Sequence, residues 1–382
     1  MINKKRLLRL TRQLIKTNSE NPPGDESRIA RFIKKYLQDL GVKTRIYEFK
    51  KGRSNVVARM GEAGEKSLLI SPHLDTVPAG RSWKRANPFS GLIRKGKLYG
   101  LGATDCKGNL ACALEAINSL VEDKVTLGYS LIFAATADEE AGSASGLVPL
   151  LDKGILKPDA AVILDSDDFS IIIAQKGLIH LKVKIRGLRA HGAYPDRGIN
   201  AIDIAIDIIN RIRKHKFVYS KNDYLKAPTI NLGVIKGGDK VNIVADWCEF
   251  ELDLRFLPGE SAQRLIGRIK KEAEMQARKA GMPPGAARIE VDGVQQPYII
   301  DRAHPLVGGL ARAIRKAGAR PRIKGSEGAT VITFFQHKNI PAVATGFGSA
   351  GCAHMSDEYV KVSNLYKGAF MLEEFLKNYQ GR

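Results

Sequence analysis

The chain has 382 residues, 44% of them hydrophobic and 26% charged, which excludes a disordered or fibrous protein and leaves room for two domains with separate cores. Its formal net charge of +21 suits an anionic partner, but the basic residues occur in scattered pairs and triplets without a recognisable nucleic-acid-binding module. We therefore expect a solvated basic surface that attracts anionic substrates modestly, and no nucleic-acid partner.

The amino terminus lacks the long apolar core of a signal peptide, and no apolar run approaches the length of a membrane span. The four cysteines lack CxxC spacing and are predicted to be buried reduced thiols: Cys106, Cys112, Cys248 and Cys352. We expect a cytoplasmic protein with no membrane partner.

Apolar residues at helical spacing, followed by Gly41, predict a helix over residues 26–40. Further along, strands alternate with helices. The predicted strands are 44–48, 55–60, 67–71, 129–136 and 160–164, and the predicted helices are 109–121 and 144–153. This alternation is typical of an α/β domain with a mostly parallel sheet covered by helices on both faces.

From residue 178 the order of elements becomes βαββαβ, the split-βαβ pattern of a small independent sandwich. Its predicted elements are 178–185, 201–212, 229–235, 241–256, 261–280 and 288–291. After Pro297 the helix and strand alternation resumes, with elements at 304–317, 330–337, 342–345 and 363–379. We expect a discontinuous catalytic domain, residues 1–177 and 293–382, that carries an inserted domain at 178–292.

Candidate metal ligands stand where predicted strands end. His73 and Asp75 directly follow an apolar strand and lie two residues apart, on one face of an extended segment. Further acidic or histidine side chains stand at strand ends or in Gly-rich loops: Asp105, Asp138, Glu139, Glu140, Asp165, Asp167, Asp168 and His354.

Each of these side chains has an ordinary explanation when it is taken alone, such as a core histidine or a turn aspartate. Together, however, acidic groups crowded at a sheet edge repel one another unless cations lie among them. Nitrogen and oxygen ligands of this kind suit zinc, with cobalt or manganese as alternatives, and their number suits a two-metal site.

The motifs resemble those of the M20 metallopeptidase and amidohydrolase family, most closely the branch with acetylornithine deacetylase and succinyl-diaminopimelate desuccinylase. The resemblance covers nearly the whole chain in the right order. The matching segments include His73-Leu74-Asp75-Thr76-Val77-Pro78, Gly100-Leu101-Gly102-Ala103-Thr104-Asp105-Cys106-Lys107-Gly108, Asp138-Glu139-Glu140, Ala190-His191-Gly192-Ala193-Tyr194-Pro195, Asp253-Leu254-Arg255 and Ala353-His354.

The resemblance implies one metal held by His73, Asp105 and Asp165, and a second held by Asp105, Glu140 and His354. Asp105 would then bridge the two ions. Asp75 would bind the ring nitrogen of His73 that does not contact the metal. Glu139 would be the general base. The family often has Glu where this chain has Asp165, so Asp167 and Asp168 remain alternatives for that ligand.

The inserted domain is implied to be a ferredoxin-like lid that forms a homodimer. His191 would reach the active site of a partner subunit and stabilise the oxyanion there. Arg255 resembles the arginine that binds the substrate carboxylate, and Asn242 and Ser326 are weaker substrate-binding candidates.

The implied function is metal-dependent hydrolysis of the amide bond in a small N-acyl amino acid, by a water activated between two divalent ions. An exopeptidase or dipeptidase of the same family is the first alternative. A non-catalytic relative that binds metal or protein is the second. The acyl group stays open at this point.

Overall fold

The structure is a computed structural model that describes residues 1–61, 66–214 and 219–380. Its helices are α1 Lys4–Lys16, α2 Ser27–Asp39, α3 Lys107–Glu122, α4 Leu147–Asp152, α5 Ala201–Arg213, α6 Ala262–Lys279, α7 Pro305–Lys316, α8 Ile332–Gln336 and α9 Val362–Asn378. Its strands are β1 Lys43–Glu48, β2 Ser54–Met60, β3 Ser67–Ser71, β4 Leu92–Arg94, β5 Lys97–Tyr99, β6 Ser130–Ala135, β7 Ala160–Leu164, β8 Ser170–Gln175, β9 Gly177–Arg186, β10 Thr229–Gly237, β11 Trp247–Phe256, β12 Ala287–Gln295, β13 Tyr298–Ile299, β14 Arg322–Ser326, β15 Ala342–Thr345 and β16 Tyr359–Lys361.

The chain divides into two compact units. The first comprises Met1–Ile173, Ile300–Lys324 and Phe334–Arg382, and the second comprises Ala174–Ile299 and Gly325–Thr333. The segment 325–333 therefore belongs to the second unit although it is distant from the rest of that unit in sequence. The roles of lid and dimerisation domain stay predictions.

The sheet of the first unit has the strand order β1-β2-β6-β3-β7-β15-β8, and β14 also pairs with β8. The pairs β3–β6, β3–β7 and β7–β15 are parallel, whereas the outer pairs are antiparallel. Strands that are buried in a parallel sheet have continuous apolar sequences. β7 has this pattern, and all of its residues are buried. The expected mostly parallel α/β sheet is confirmed.

The parallel arrangement brings the ends of β3, β6 and β7 to the same edge of the sheet. An isolated parallel bridge between His73 and Thr136 extends the pairing just beyond β3 and β6. His73, Asp138 and Asp165 follow within three residues of the ends of these strands, so three of the motifs lie at one edge of the sheet. In open α/β sheets this is the edge where ligands bind.

Helix α3 is buried over most of its length and packs against α1 and α9. Its small residues allow this close packing. At Gly108 a Cβ atom would lie 2.3 Å from the carbonyl oxygen of Ala103, so the start of α3 can approach the preceding loop only with glycine there. Within the described residues, no helix has both the length and the apolarity required to cross a bilayer.

A small antiparallel sheet with the order β16-β5-β4 also belongs to the first unit. The sequence analysis did not predict it, because strands of three residues are too short to show an alternating pattern. Tyr359 pairs with Tyr99, which ties the chain after His354 to the chain before Asp105.

The second unit contains an antiparallel sheet with the order β10-β11-β9-β12, covered by α5 and α6. Strands β9 and β11 alternate between buried and less buried residues, as expected for a sheet with one face on the core. The predicted βαββαβ order is confirmed.

The strand predicted at 241–256 begins only at Trp247. The preceding residues bond to other segments instead: Asn242 O accepts from Gly192 N at 2.8 Å, and Val244 N donates to Ala190 O at 2.9 Å. Apolar alternation alone does not distinguish these contacts from a continuing strand.

Replacing Ile132 in β6 with Ala should lower the free energy of unfolding by about 2–5 kcal/mol, since the substitution leaves a cavity in the central sheet. Ile132 is 1% exposed, whereas Ile93 in the same unit is 41% exposed. The matched change Ile93→Ala should cost less than about 0.5 kcal/mol. Urea unfolding of both variants provides the measurement, and equal costs would contradict the core assignment.

Candidate metal centre

His73 is buried, and both of its ring nitrogens have partners. Nδ1 lies 3.0 Å from the main-chain oxygen of Asp75 and 3.6 Å from its carboxylate. Nε2 lies 2.8 Å from Asp105 Oδ1. The carbonyl is thus the closer partner of Nδ1, and the ring directs Nε2 towards Asp105.

The carboxylate of Asp105 stands between two histidines. While Oδ1 faces His73, Oδ2 lies 3.2 Å from His354 Nε2. His354 Nε2 also lies 3.1 Å from the Glu140 carboxylate. The potential ligand atoms of Asp105, Glu140 and His354 all lie within 4.8 Å of one another, as do those of His73, Glu139 and Glu140. The structure therefore brings these predicted residues into one cluster.

Asp165 belongs to the same electrostatic environment. Burial and the neighbouring charges of Asp105 and Glu140 raise the pKa of Asp165 to about 7, against the opposing effect of His73. Neither alternative residue is placed in this way. Asp167 lies 3.4 Å from Lys324 Nζ. Asp168 accepts hydrogen bonds from Asn364 Nδ2 at 3.0 Å and from Ala350 N at 3.4 Å.

Glu139 and Glu140 begin a short 3-10 turn whose first backbone amides bind Asp75. Glu139 N donates to Asp75 Oδ1 at 3.0 Å, and Glu140 N donates to Asp75 Oδ2 at 3.1 Å. Asn21 Nδ2 adds a bond to Oδ2 at 2.9 Å. Asp75 therefore positions the backbone of both glutamates and also, through its own carbonyl, the ring of His73.

The pKa values in the cluster reflect its crowding. Burial and the charge of Asp165 raise the pKa of Glu139 well above its ordinary value. Hydrogen bonds to Asp105 and Glu140 raise the pKa of His354 to about 10. Burial works against ionisation of Asp105, but His354 and His73 hold its pKa below the usual range.

This donor set fits divalent cations. Two imidazoles and several carboxylates converge, and cations among the carboxylates would offset their mutual repulsion. The set also includes Cys106 Sγ, which lies within 4.8 Å of His73 and Asp105 ligand atoms. However, Sγ accepts a hydrogen bond from His73 N at 3.1 Å, and burial raises the pKa of the Cys106 thiol to about 12. We therefore leave Cys106 outside the proposed ligands.

Glu358 supports the loop that carries Asp105, a role that the sequence analysis missed. Its buried carboxylate accepts from the backbone amides of Gly102, Thr104 and Asp105 at 2.9, 2.8 and 3.1 Å. Burial nonetheless raises the pKa of Glu358 to about 7. The residue stands four positions after His354, but nothing in the sequence pattern indicates which backbone it would bind.

A buried ionic group behind the cluster was also missed. Arg53 Nη2 lies 2.7 Å from Asp138 Oδ1, 3.0 Å from Glu26 Oε1 and 4.0 Å from Asp75 Oδ2. Asp138, with a left-handed φ of 66°, also accepts from Ser145 N at 2.8 Å. Arg53 thereby fixes the residue that precedes Glu139. An arginine at the start of a strand carries no sequence signal for this role.

The other predicted site residues lie in the second unit. His191 Nδ1 accepts from Ala193 N at 3.0 Å, and His191 forms an isolated bridge with Ile243, next to Asn242. Arg255 makes two hydrogen bonds to Asp253, at 2.7 and 2.9 Å. Ser326 ends β14, where its carbonyl accepts from Lys176 N at 3.2 Å. Their roles in oxyanion or substrate binding stay predictions.

The fold and the sequence comparisons together define an amide-bond hydrolase and give its family. Residues 69–378 match the model of peptidase family M20/M25/M40, so the chain belongs to that family and hydrolyses amide bonds. An acetylornithine deacetylase from Photorhabdus laumondii is 32% identical over 381 residues, covering 93% of this chain and 92% of that protein.

Solved structures support the same fold. Aminopeptidase PepT from Bacillus cereus has a TM-score of 0.82 and 25% identity, covering 98% of each chain. The YXEP protein of Bacillus subtilis, described as a dinuclear metal-binding peptidase of the M20 family, has a TM-score of 0.75. It is 17% identical and covers 98% of this chain and 97% of its own, so it bears on the fold alone. The resemblance to the M20 family is confirmed.

The buried Glu26 predicts a pH dependence of stability. Burial raises the pKa of its carboxyl group from 4.5 to about 7, against the opposing charge of Arg53. Because the folded pKa is the higher one, wild-type stability should fall as the pH rises from about 4.5 to about 7. Glu26→Gln escapes this loss, so relative to wild type it should gain up to about 3 kcal/mol across that range.

Urea unfolding of Glu26→Gln and wild type at pH 4.5, 6 and 8 measures the difference. Glu48→Gln, at an exposed glutamate in the same unit, is the control and should show no such trend. A pH-independent difference for Glu26→Gln would contradict the assignment.

Proposed function

We propose that this chain is a dinuclear metal-dependent amidohydrolase that removes the acyl group from a small N-acyl amino acid. The observation that carries the proposal is the Asp105 carboxylate, with one oxygen towards His73 and the other towards His354. A carboxylate shared in this way is suited to bridging two ions. The similarity to an acetylornithine deacetylase supports the deacylase type.

In this proposal His73, Asp105 and Asp165 hold one ion, and Asp105, Glu140 and His354 hold the other. Zinc suits these ligands best, with cobalt or manganese as alternatives. Ions bound there would polarise the scissile carbonyl and lower the pKa of a bound water.

Glu139 is the proposed general base and acid. Its pKa is raised by burial and by Asp165, which favours a carboxylate that returns a proton as well as taking one. It takes the proton of the attacking water and gives it to the leaving amine. Asp75 holds the Glu139 backbone amide, so the side chain starts from a fixed position.

A peptidase of the same family is the second candidate, and the similarity to an aminopeptidase favours it specifically. The same cluster would cleave a peptide bond by the same proton transfers. The presence of the general base together with the proposed ligands argues against a non-catalytic relative, because metal binding alone does not require Glu139.

The second unit supplies the proposed substrate contacts. His191 would stabilise the oxyanion in a homodimer, and Arg255, Asn242 and Ser326 would bind the substrate. Arg255 is already paired with Asp253, so a substrate carboxylate would share its guanidinium with that aspartate or displace it.

Replacing Glu139 with Gln should lower kcat by about 10²–10⁴-fold, because the isosteric amide can neither take nor return the proton. Metal content should stay at the wild-type value. Glu140→Gln is the matched control at the neighbouring position, and it should lower metal content as well as activity. Elemental analysis and an amide hydrolysis assay measure both. Full activity in Glu139→Gln would refute its assigned role.

A substrate panel separates the two candidate functions. N-acetyl and N-succinyl amino acids should give kcat/KM values at least about tenfold above those of dipeptides and tripeptides. The panel is run with added zinc, cobalt or manganese, and a chelator should abolish all hydrolysis. Higher kcat/KM values for peptides would replace the deacylase by the peptidase.

A further inference from the structure

The outward side of α1 carries a row of cations. Lys5, Arg9, Arg12 and Lys16 follow at spacings of four, three and four residues and are all exposed, whereas the inward side buries leucines and an isoleucine. The turn between β4 and β5 adds Arg94 and Lys95, also exposed. A Cβ atom at Gly91 would lie 3.2 Å from Arg12 Cβ, so this hairpin lies beside α1. These six cations are named the basic face.

The charges of the basic face are not compensated. Across the described ranges, none of its six side chains takes part in a hydrogen bond or ion pair with an acidic group. On the same helix, by contrast, Arg6 pairs with Glu115 and Glu122. Some exposed cations of the second unit are likewise paired, as Lys184 is with Glu290 and Arg189 with Asp239. The six positive charges of the basic face are therefore open to an anionic partner.

A cleft of about 480 Å³ runs along this surface and gives it an apolar component. Leu8 and Ile93 line it together with Lys5, Arg9, Arg12, Gln13 and Lys16. Leu92 and Ile93, at 40% and 41% exposure, are among the large apolar side chains that the described part of the chain leaves open to solvent. Aliphatic side chains among cations are suited to a partner that presents both carboxylates and aliphatic groups.

The spacing of the charges indicates the form of that partner. Successive cations on α1 are about 4.5–6 Å apart along the helix axis, so the row of four spans about 16.5 Å. In an extended peptide, side chains on one face recur about every 6.6–6.8 Å. About six residues of an extended segment cover the length of the row, so acidic residues at its alternate positions would lie along the row within reach of the long lysine and arginine side chains.

Other occupants match the surface less well. The residues that line the cleft include no aromatic side chain on which nucleic-acid bases could stack. A second copy of this chain would bring a net charge of +21 towards a cationic surface. A flat bilayer would leave a concave cleft poorly filled.

The basic face also lies close to the candidate metal centre along the chain. The hairpin strand β5 ends six residues before Asp105, and its partner β16 begins five residues after His354.

We propose that the basic face is a docking surface for an extended acidic segment of a partner protein. This surface is distinct from the residues assigned to amide hydrolysis.

The test uses the full-length protein and a fluorescein-labelled peptide of about twelve residues, with glutamate at alternate positions and leucine or serine between them. Fluorescence anisotropy should show saturable binding at low salt that weakens as salt is added. The double variant Arg9→Glu/Arg12→Glu should weaken binding by at least about tenfold. Its hydrolysis of small substrates should be unchanged, which confirms that the variant is folded and separates this proposal from the proposed function.

The matched control is Arg28→Glu/Arg31→Glu, two exposed arginines three residues apart on α2, the same spacing as Arg9 and Arg12. It makes the same change in net charge and should alter the peptide affinity by less than about twofold. Equal losses in the two double variants would show attraction by net charge alone and overturn the proposal. Absence of binding at low salt would also overturn it. Tighter binding of single-stranded RNA or of phosphatidylserine vesicles through Arg9 and Arg12 would replace the acidic protein segment by that partner.

Discussion

Repulsion between carboxylates is the constraint on which the centre of this structure depends. Asp105, Glu139, Glu140 and Asp165 gather at one edge of a parallel sheet, and the raised pKa values of Glu139 and Asp165 show the cost of placing them there. His73 and His354 offset part of that cost from opposite sides of Asp105. The same arrangement that is costly without cations would suit divalent ions, whose binding would offset the repulsion between the carboxylates.

Holding the cluster in place requires groups that do not belong to it. Asp75 accepts the amides of both glutamates, and Glu358 accepts three amides of the Asp105 loop. Arg53 lies behind them, between Asp138 and the buried Glu26. These supports are themselves buried charges, so each relies on its partners to remain in the interior. The candidate catalytic geometry and the stability of the first unit are thus linked through a few shared hydrogen bonds.

The distribution of basic residues has a different physical basis. In the second unit, several exposed cations face acidic partners on neighbouring strands, such as Lys182 with Glu251. On α1 the corresponding cations have no acidic neighbour among the described residues. Exposed ion pairs contribute little to the free energy of unfolding, so surface cations without acidic partners lower it only slightly. Such cations can therefore lie where they serve binding.

The sequence by itself determined the class of the fold, the family and the residue types of the centre. Strand and helix periods are local properties, and motifs such as His73 to Pro78 or Gly100 to Gly108 are contiguous, so both can be read without coordinates. Only the tertiary structure shows that the charge of Asp165 interacts with that of Asp105, while Asp167 lies near Lys324 and Asp168 is bonded to Asn364. The metal ligand among these three residues stays a prediction. Only the tertiary structure likewise shows that the Nδ1 atom of His73 lies closer to the carbonyl of Asp75 than to its carboxylate. Arg53, Glu26 and Glu358 were found only in three dimensions, since their partners are distant in sequence. A buried charge is defined by what surrounds it, and those surroundings exist only once the chain has folded.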